Sequence, residues 1–295
     1  MMNPTQLSAL SRMFSPSVIS EIAKKGQSPL FSRLLSETSV FEIDDPADVT
    51  IGDAFDRAFS LLRRSGLRNE YVYRSALIRN VLLGRHSLRT ASMLTEFRIS
   101  SSKADMVILN GYGTVYEIKS DRDSLARLES QIENYRKAFS KIYVVAGTGH
   151  IQDVLDKTSE DVGVMNLIRW NRISIVREAK ENFDYICPAT IFDSLRLGEA
   201  IDILKDLNVD IPDLPNTLMR NALRSIFIEL DPIDVQYCMI KTLKRTRNLA
   251  PLSTLIANLP YALQSIALMV QLRNKDHDRL VETLNKPLNE AFKWV

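Results

Sequence analysis

The stretch that decides the reading runs Ala104-Asp105-Met106-Val107-Ile108-Leu109-Asn110-Gly111-Tyr112-Gly113-Thr114-Val115-Tyr116-Glu117-Ile118-Lys119. Two short apolar segments, Ala104 to Leu109 and Val115 to Ile118, flank Asn110-Gly111-Tyr112-Gly113. Such runs around an Asn-Gly turn predict two antiparallel strands joined as a hairpin. Strand side chains alternate between faces, so Glu117 and Lys119 share one face while Ile118 points to the other. The turn brings Asp105 beside Glu117. Two carboxylates and an ammonium then stand together on one sheet face among apolar neighbours.

Reading outward, Met93 to Ile99 predicts a preceding strand and Ile142 to Ala146 a following one. Asn69 is placed to N-cap a helix that runs to about Leu83, with Gly84 after it. A helix from Asp123 to about Phe139 carries a stripe of Leu125, Leu128, Ile132, Tyr135 and Phe139. A strand, a crossover helix and a strand imply parallel pairing. A short helix is expected near Ile151 to Leu155, then an outer hairpin from Val162 to Trp170 and Arg172 to Val176, turning at Trp170-Asn171.

Upstream, helical patches span Pro16 to Lys24 and Leu30 to Leu35, and a helix spans about Gly52 to Arg64. Downstream, no glycine occurs from Glu199 onward although the chain has ten, and prolines punctuate amphipathic stretches. That region reads as all-helical. The expected fold class is α/β: a central mixed sheet flanked by helices, plus a C-terminal all-helical region. The expected boundaries are an N-terminal helical extension at 1–48, a core at 49–180 and a helical domain at 181–295.

The 295 residues carry a formal net charge of +2, so nucleic-acid binding has to come from local patches. Two cysteines, Cys187 and Cys238, exclude a disulfide scaffold and fit a reducing compartment. The first residues show no signal peptide pattern, and no apolar run reaches the roughly 20 residues of a membrane span. A cytoplasmic protein with no membrane association is expected.

Like charges placed together repel unless a cation compensates. Mg2+ (or Mn2+) does so with oxygen ligands. Asp105 and Glu117 would bind it, the Ile118 carbonyl would add an oxygen, and Lys119 would orient water or offset charge on phosphate. Glu70, opening the helix before the sheet, is a candidate third carboxylate. Its ordinary reading is an acid that stabilises a helix first turn. Gln131 and Tyr135 are four residues apart and project from one helix face toward Lys119 or a phosphate. An isolated Glu-x-Lys in a strand is ordinarily a cross-strand ion pair. The combination is what raises the functional reading.

These residues resemble the PD-(D/E)XK nuclease superfamily, whose restriction endonucleases and RecB-like exonucleases share a core. Asp105, Glu117, Ile118 and Lys119 match its central motif, with Ala104 where the name has proline. Glu70 matches the acid on the first core helix, and Gln131 with Tyr135 looks like the Q-x-x-x-Y motif. The resemblance covers about residues 66–177. It implies a restriction-endonuclease-like core and a Mg-dependent phosphodiesterase (deoxyribonuclease), with DNA as partner.

The alternative is a catalytically silent nucleic-acid-binding or protein-interaction protein on the same fold, with a protein partner or self-association through the C-terminal helical region. Lys241, Lys244, Arg245 and Arg247, with Arg220 and Arg224 upstream, offer a phosphate grip, although a solvated helix end is their ordinary reading. His86, His150 and His277 are scattered and read as structural or surface residues. Gly147-Thr148-Gly149 lacks the lysine and spacing of a phosphate loop.

Overall fold

A computed structural model describes residues 3–41, 49–64, 66–84, 86–168 and 172–294. Among them, six strands form one sheet: β1 (Ser92–Ile99), β2 (Ser102–Leu109), β3 (Gly113–Lys119), β4 (Lys141–Ala146), β5 (Gly163–Leu167) and β6 (Ile173–Arg177). Their order in space is their order in sequence. β1, β2 and β3 pair antiparallel, β3, β4 and β5 pair parallel, and β6 returns antiparallel. The mixed α/β sheet is therefore as expected. The expected turn at Trp170-Asn171 lies outside the described residues.

All seven residues of β3, Gly-Thr-Val-Tyr-Glu-Ile-Lys, are buried. A strand buried on both faces belongs in the middle of a sheet, and the β-branched and aromatic residues here suit that place. The β2–β3 turn closes with the Asn110 N–H donating to the Tyr112 carbonyl at 3.0 Å. Gly111 there has φ of 108°, which a residue without Cβ adopts freely. Gly113 is required for another reason. A Cβ on it would lie 2.7 Å from the Phe139 ring.

The α/β layer is completed by α6 (Leu128–Arg136) between β3 and β4 and by α7 (Ile151–Lys157) between β4 and β5. α6 is shorter than the expected Asp123–Phe139 helix. Asp123 accepts from the Ser120 N–H at 2.7 Å and Ser124 from the Ala126 N–H at 3.2 Å. Short polar side chains that bond local backbone in this way compete with helix. Tyr135 and Phe139 are fully buried, each contributing about 1.5–3 kcal/mol of apolar burial.

After β6 only helices follow among the described residues: α8 (Pro188–Ser194), α9 (Leu197–Asp206), α10 (Asn216–Ile228), α11 (Pro232–Thr246) and α12 to α15 between Ser253 and Ala291. They do not form one domain. The described residues within 80–168 and 172–250 make one compact unit, holding the sheet and α6 to α11. Those within 1–79 and 251–295 make the other. These units cut across the expected divisions at 48 and 180, because α8 and α11 pack on β1 and β2.

The second unit gathers the two ends of the chain. Its helices α1 (Pro4–Met13), α2 (Pro16–Lys25) and α3 (Pro29–Thr38) begin alike. Asn3, Ser15 and Ser28 each cap the N–H three residues on, with proline at the first helical position. Phe31 stacks on Phe55 of α4 (Ile51–Leu62), with ring centroids 4.7 Å apart. α5 (Glu70–Leu77) is capped by Asn69 as expected and runs on into a π-helical turn at Ile78–Leu83.

Candidate functional site

β3 delivers Glu117 and Lys119 to the sheet face that α6 covers, where the alternation of the strand puts them. Glu117 is 2% exposed and Lys119 6%. The Lys119 Nζ donates to Glu117 Oε1 at 2.9 Å and to Gln131 Oε1 at 2.8 Å. Gln131 Nε2 donates to the same Glu117 oxygen at 2.6 Å. The Tyr135 hydroxyl lies 2.7 Å from Glu117 Oε2 and 2.8 Å from the Lys103 carbonyl. Burial, and then the adjacent Glu117 charge, push the Tyr135 phenol well above its ordinary range, so it stays a neutral donor. Four of the expected site residues therefore meet as one buried network.

Asp105 is placed differently. Its Oδ2 accepts from the Ile118 N–H at 2.7 Å, tying β2 to β3 beyond their regular pairing. Glu96, which the sequence reading passed over, is bracketed opposite Asp105 by the pairs Thr95–Met106 and Phe97–Ala104. Its φ of 52° departs from extended backbone within a strand that continues on both sides. The signal for it was simple register across a short hairpin. Two carboxylates opposed across strands repel each other. Glu70 belongs to the other unit, where it pairs with Arg74 at 2.5 Å within α5.

The expected magnesium ligands were Asp105, Glu117, the Ile118 carbonyl and Glu70. Glu117 does not fit that set as arranged. Oε1 holds two donors and Oε2 a third, so a cation would have to displace one of them. Asp105 and Glu96 suit a hard oxygen-seeking cation better.

A second constellation lies at the end of α11. A cavity of about 260 Å³ is lined by Arg89, Ala91, Lys241, Lys244, Arg245 and Asn248. No acid lines it. Lys241 pairs with Asp206 at 3.2 Å and Arg245 with Asp202 at 2.8 Å. Arg89 and Lys244 have no ion-pair partner among the described residues. The helix C-terminus accounts for part of this charge, since it attracts cations with about half an elementary charge. Two cations remain uncompensated beyond it.

The rest of the basic run turns elsewhere. Arg247 grips buried Glu199 through two bonds of 2.9 Å, Arg224 pairs with Asp193 at 3.2 Å, and Arg220 lies over the Phe192 ring. Burial works against the Glu199 charge, but the Arg247 bonds outweigh it and hold the carboxyl below its ordinary range. Arg89 was missed because about 150 residues separate it from the other cations of this cavity, and no local pattern marks it.

Comparison with known proteins decides the class. The family model described as bacteriophage P4 protein cII matches residues 63–249, more than half of the chain. Protein cII of Enterobacteria phage P4 is 25% identical over 223 residues, covering 70% of this chain and 81% of that protein. No solved structure matches. These findings overturn the PD-(D/E)XK resemblance, and with it the expected nuclease function, the hydrolase class and the Mg-dependent deoxyribonuclease activity. The motif was short enough to be met by a buried ion pair and its hydrogen-bond partners. No helix among the described residues is long and apolar enough to cross a membrane. The chain belongs to the bacteriophage P4 protein cII family.

Proposed function

We propose that the protein works by occupying DNA, as a regulatory binding protein that grips backbone phosphates and leaves them intact. The observation that carries this is the cavity at the end of α11, with four cations and no acid in its lining. A chain with a net charge of only +2 has no general field to attract nucleic acid. A local cluster with two uncompensated cations supplies one. The guanidinium of Arg89 and the ammonium of Lys244 are the groups free to take phosphate oxygens.

Magnesium stays in the proposal as a structural ion, with a revised ligand pair of Asp105 and Glu96. It would relieve the repulsion between those carboxylates and steady the β1–β2 pairing.

The experiment is anisotropy titration of a labelled duplex with wild type and with the Arg89→Ala/Lys244→Ala double variant. The double variant should bind at least tenfold more weakly. Equal affinity would remove this cavity from the reading.

A further inference from the structure

The sheet has a second face, and a cavity of about 500 Å³ opens on it. Thr114 and Tyr116 of β3 point away from Glu117, and their register partners Lys141 and Tyr143 of β4 follow them. The Tyr116 and Tyr143 rings stack at 8° with centroids 5.7 Å apart. Tyr143 can lie flat because Gly163 stands beneath it; a Cβ there would come within 2.3 Å of the ring. Tyr112, from the β2–β3 turn, borders the same cavity and is 65% exposed.

Polar groups converge on this aromatic wall. Asn110 Nδ2 donates to His86 Nε2 at 2.8 Å, which fixes the orientation of both side chains. Lys141 and Glu181 both line the cavity, and neither has an ion-pair partner among the described residues. An ammonium and a carboxylate facing one space without pairing suit a ligand that carries both an anion and hydrogen-bond donors. The tyrosines suit a flat ring. The volume lies within the range of small-molecule sites.

We propose that this cavity binds a nucleoside monophosphate unit. The base stacks on Tyr112, the phosphate meets Lys141, and Glu181 accepts from an amino or hydroxyl group. A neutral aromatic compound would leave Lys141 unused, and an inorganic anion would leave the tyrosines unused. The unit can be a free nucleotide or an unpaired nucleotide of a strand. The proposal uses none of the cations at the end of α11 and stands apart from the duplex-binding reading.

The test is calorimetric titration of the full chain with the 5′-monophosphates of adenosine, guanosine, cytidine and thymidine. Adenosine, inorganic phosphate and a short single-stranded oligothymidine form the comparison arms. At least one monophosphate should bind saturably and more tightly than adenosine or phosphate. Tyr112→Ala should weaken it about tenfold, within the range for loss of one base stack. Lys141→Gln should weaken it as much, while Arg89→Ala/Lys244→Ala leaves it unchanged. In the Arg89→Ala/Lys244→Ala background, where the phosphate grip at the end of α11 is removed, tighter binding of the oligothymidine than of thymidine monophosphate identifies a strand as the source, and the reverse identifies the free nucleotide. Far-ultraviolet circular dichroism and thermal melting of each variant verify that it is folded. Absence of saturable binding by all four monophosphates and the oligonucleotide overturns the proposal. So does binding that Tyr112→Ala and Lys141→Gln leave unaltered.

Discussion

The Tyr135 hydroxyl, on α6, lies 2.7 Å from Glu117 Oε2, on β3, so a helix side chain satisfies the oxygen that the strand lysine does not reach. An oxygen of a nearly fully buried carboxylate cannot turn to water when its donor is lost. Tyr135→Phe removes the donor at almost constant volume and should destabilise the fold by about 1–3 kcal/mol. Urea denaturation measures it. A change within error would contradict a stabilising role for the hydroxyl at the buried Glu117 carboxylate.

Lys119 and Glu117 form a buried pair, and removing one partner of such a pair typically costs about 3–5 kcal/mol. Lys119→Met should therefore be severe. The double variant Lys119→Met/Glu117→Gln should recover part of the loss, because no uncompensated charge remains. Additive losses in this double-mutant cycle would show that the two side chains do not stabilise each other.

Much of this was legible in the sequence. Alternation in Val115 to Lys119 put Glu117 and Lys119 on one face, and helical spacing put Gln131 and Tyr135 on another; the structure joins them. Local patterns cannot show what a buried constellation is for. Glu-x-Lys and Q-x-x-x-Y specify a closed hydrogen-bond network as readily as a reactive one, and the family match had to decide. Long-range placement was also hidden. Nothing near Arg89 announces Lys244, and nothing near Pro251 announces that the last helices join the first ones. The left-handed backbone of Glu96 was hidden as well, because the register runs unshifted from Thr95–Met106 to Phe97–Ala104 and no local pattern marks it.

Glu199 gives a pH signature. Its folded carboxyl titrates below the ordinary glutamate range, which lies near about 4.3, so the unfolded chain takes up its proton first as pH falls. The contribution is fully present above that value and is lost as pH drops through the folded one. Wild type should exceed Glu199→Gln in urea midpoint at pH 7, and the gap should close toward pH 3. A gap constant between the two would contradict the assigned role of the Arg247 bonds.

Asp105 and Glu96 test the ion. An ion that binds only the folded state adds about 2.7 kcal/mol of stability at one hundred times its Kd. Magnesium should raise the melting temperature of wild type, and Asp105→Asn should abolish the increase. A melting temperature that magnesium leaves unchanged removes the ion from the account.

Phosphate binding without cleavage is tested most directly by the salt dependence of duplex affinity. Each phosphate neutralised adds about 0.9 to the slope of log affinity against log salt concentration. Wild type should show a steep negative slope. Arg89→Ala/Lys244→Ala should flatten it by about two phosphate contacts, roughly 1.8 in slope. The DNA recovered from magnesium-containing reactions should be intact. A flat salt dependence in wild type, the same slope in both proteins, or magnesium-dependent cleavage of the duplex would contradict the account.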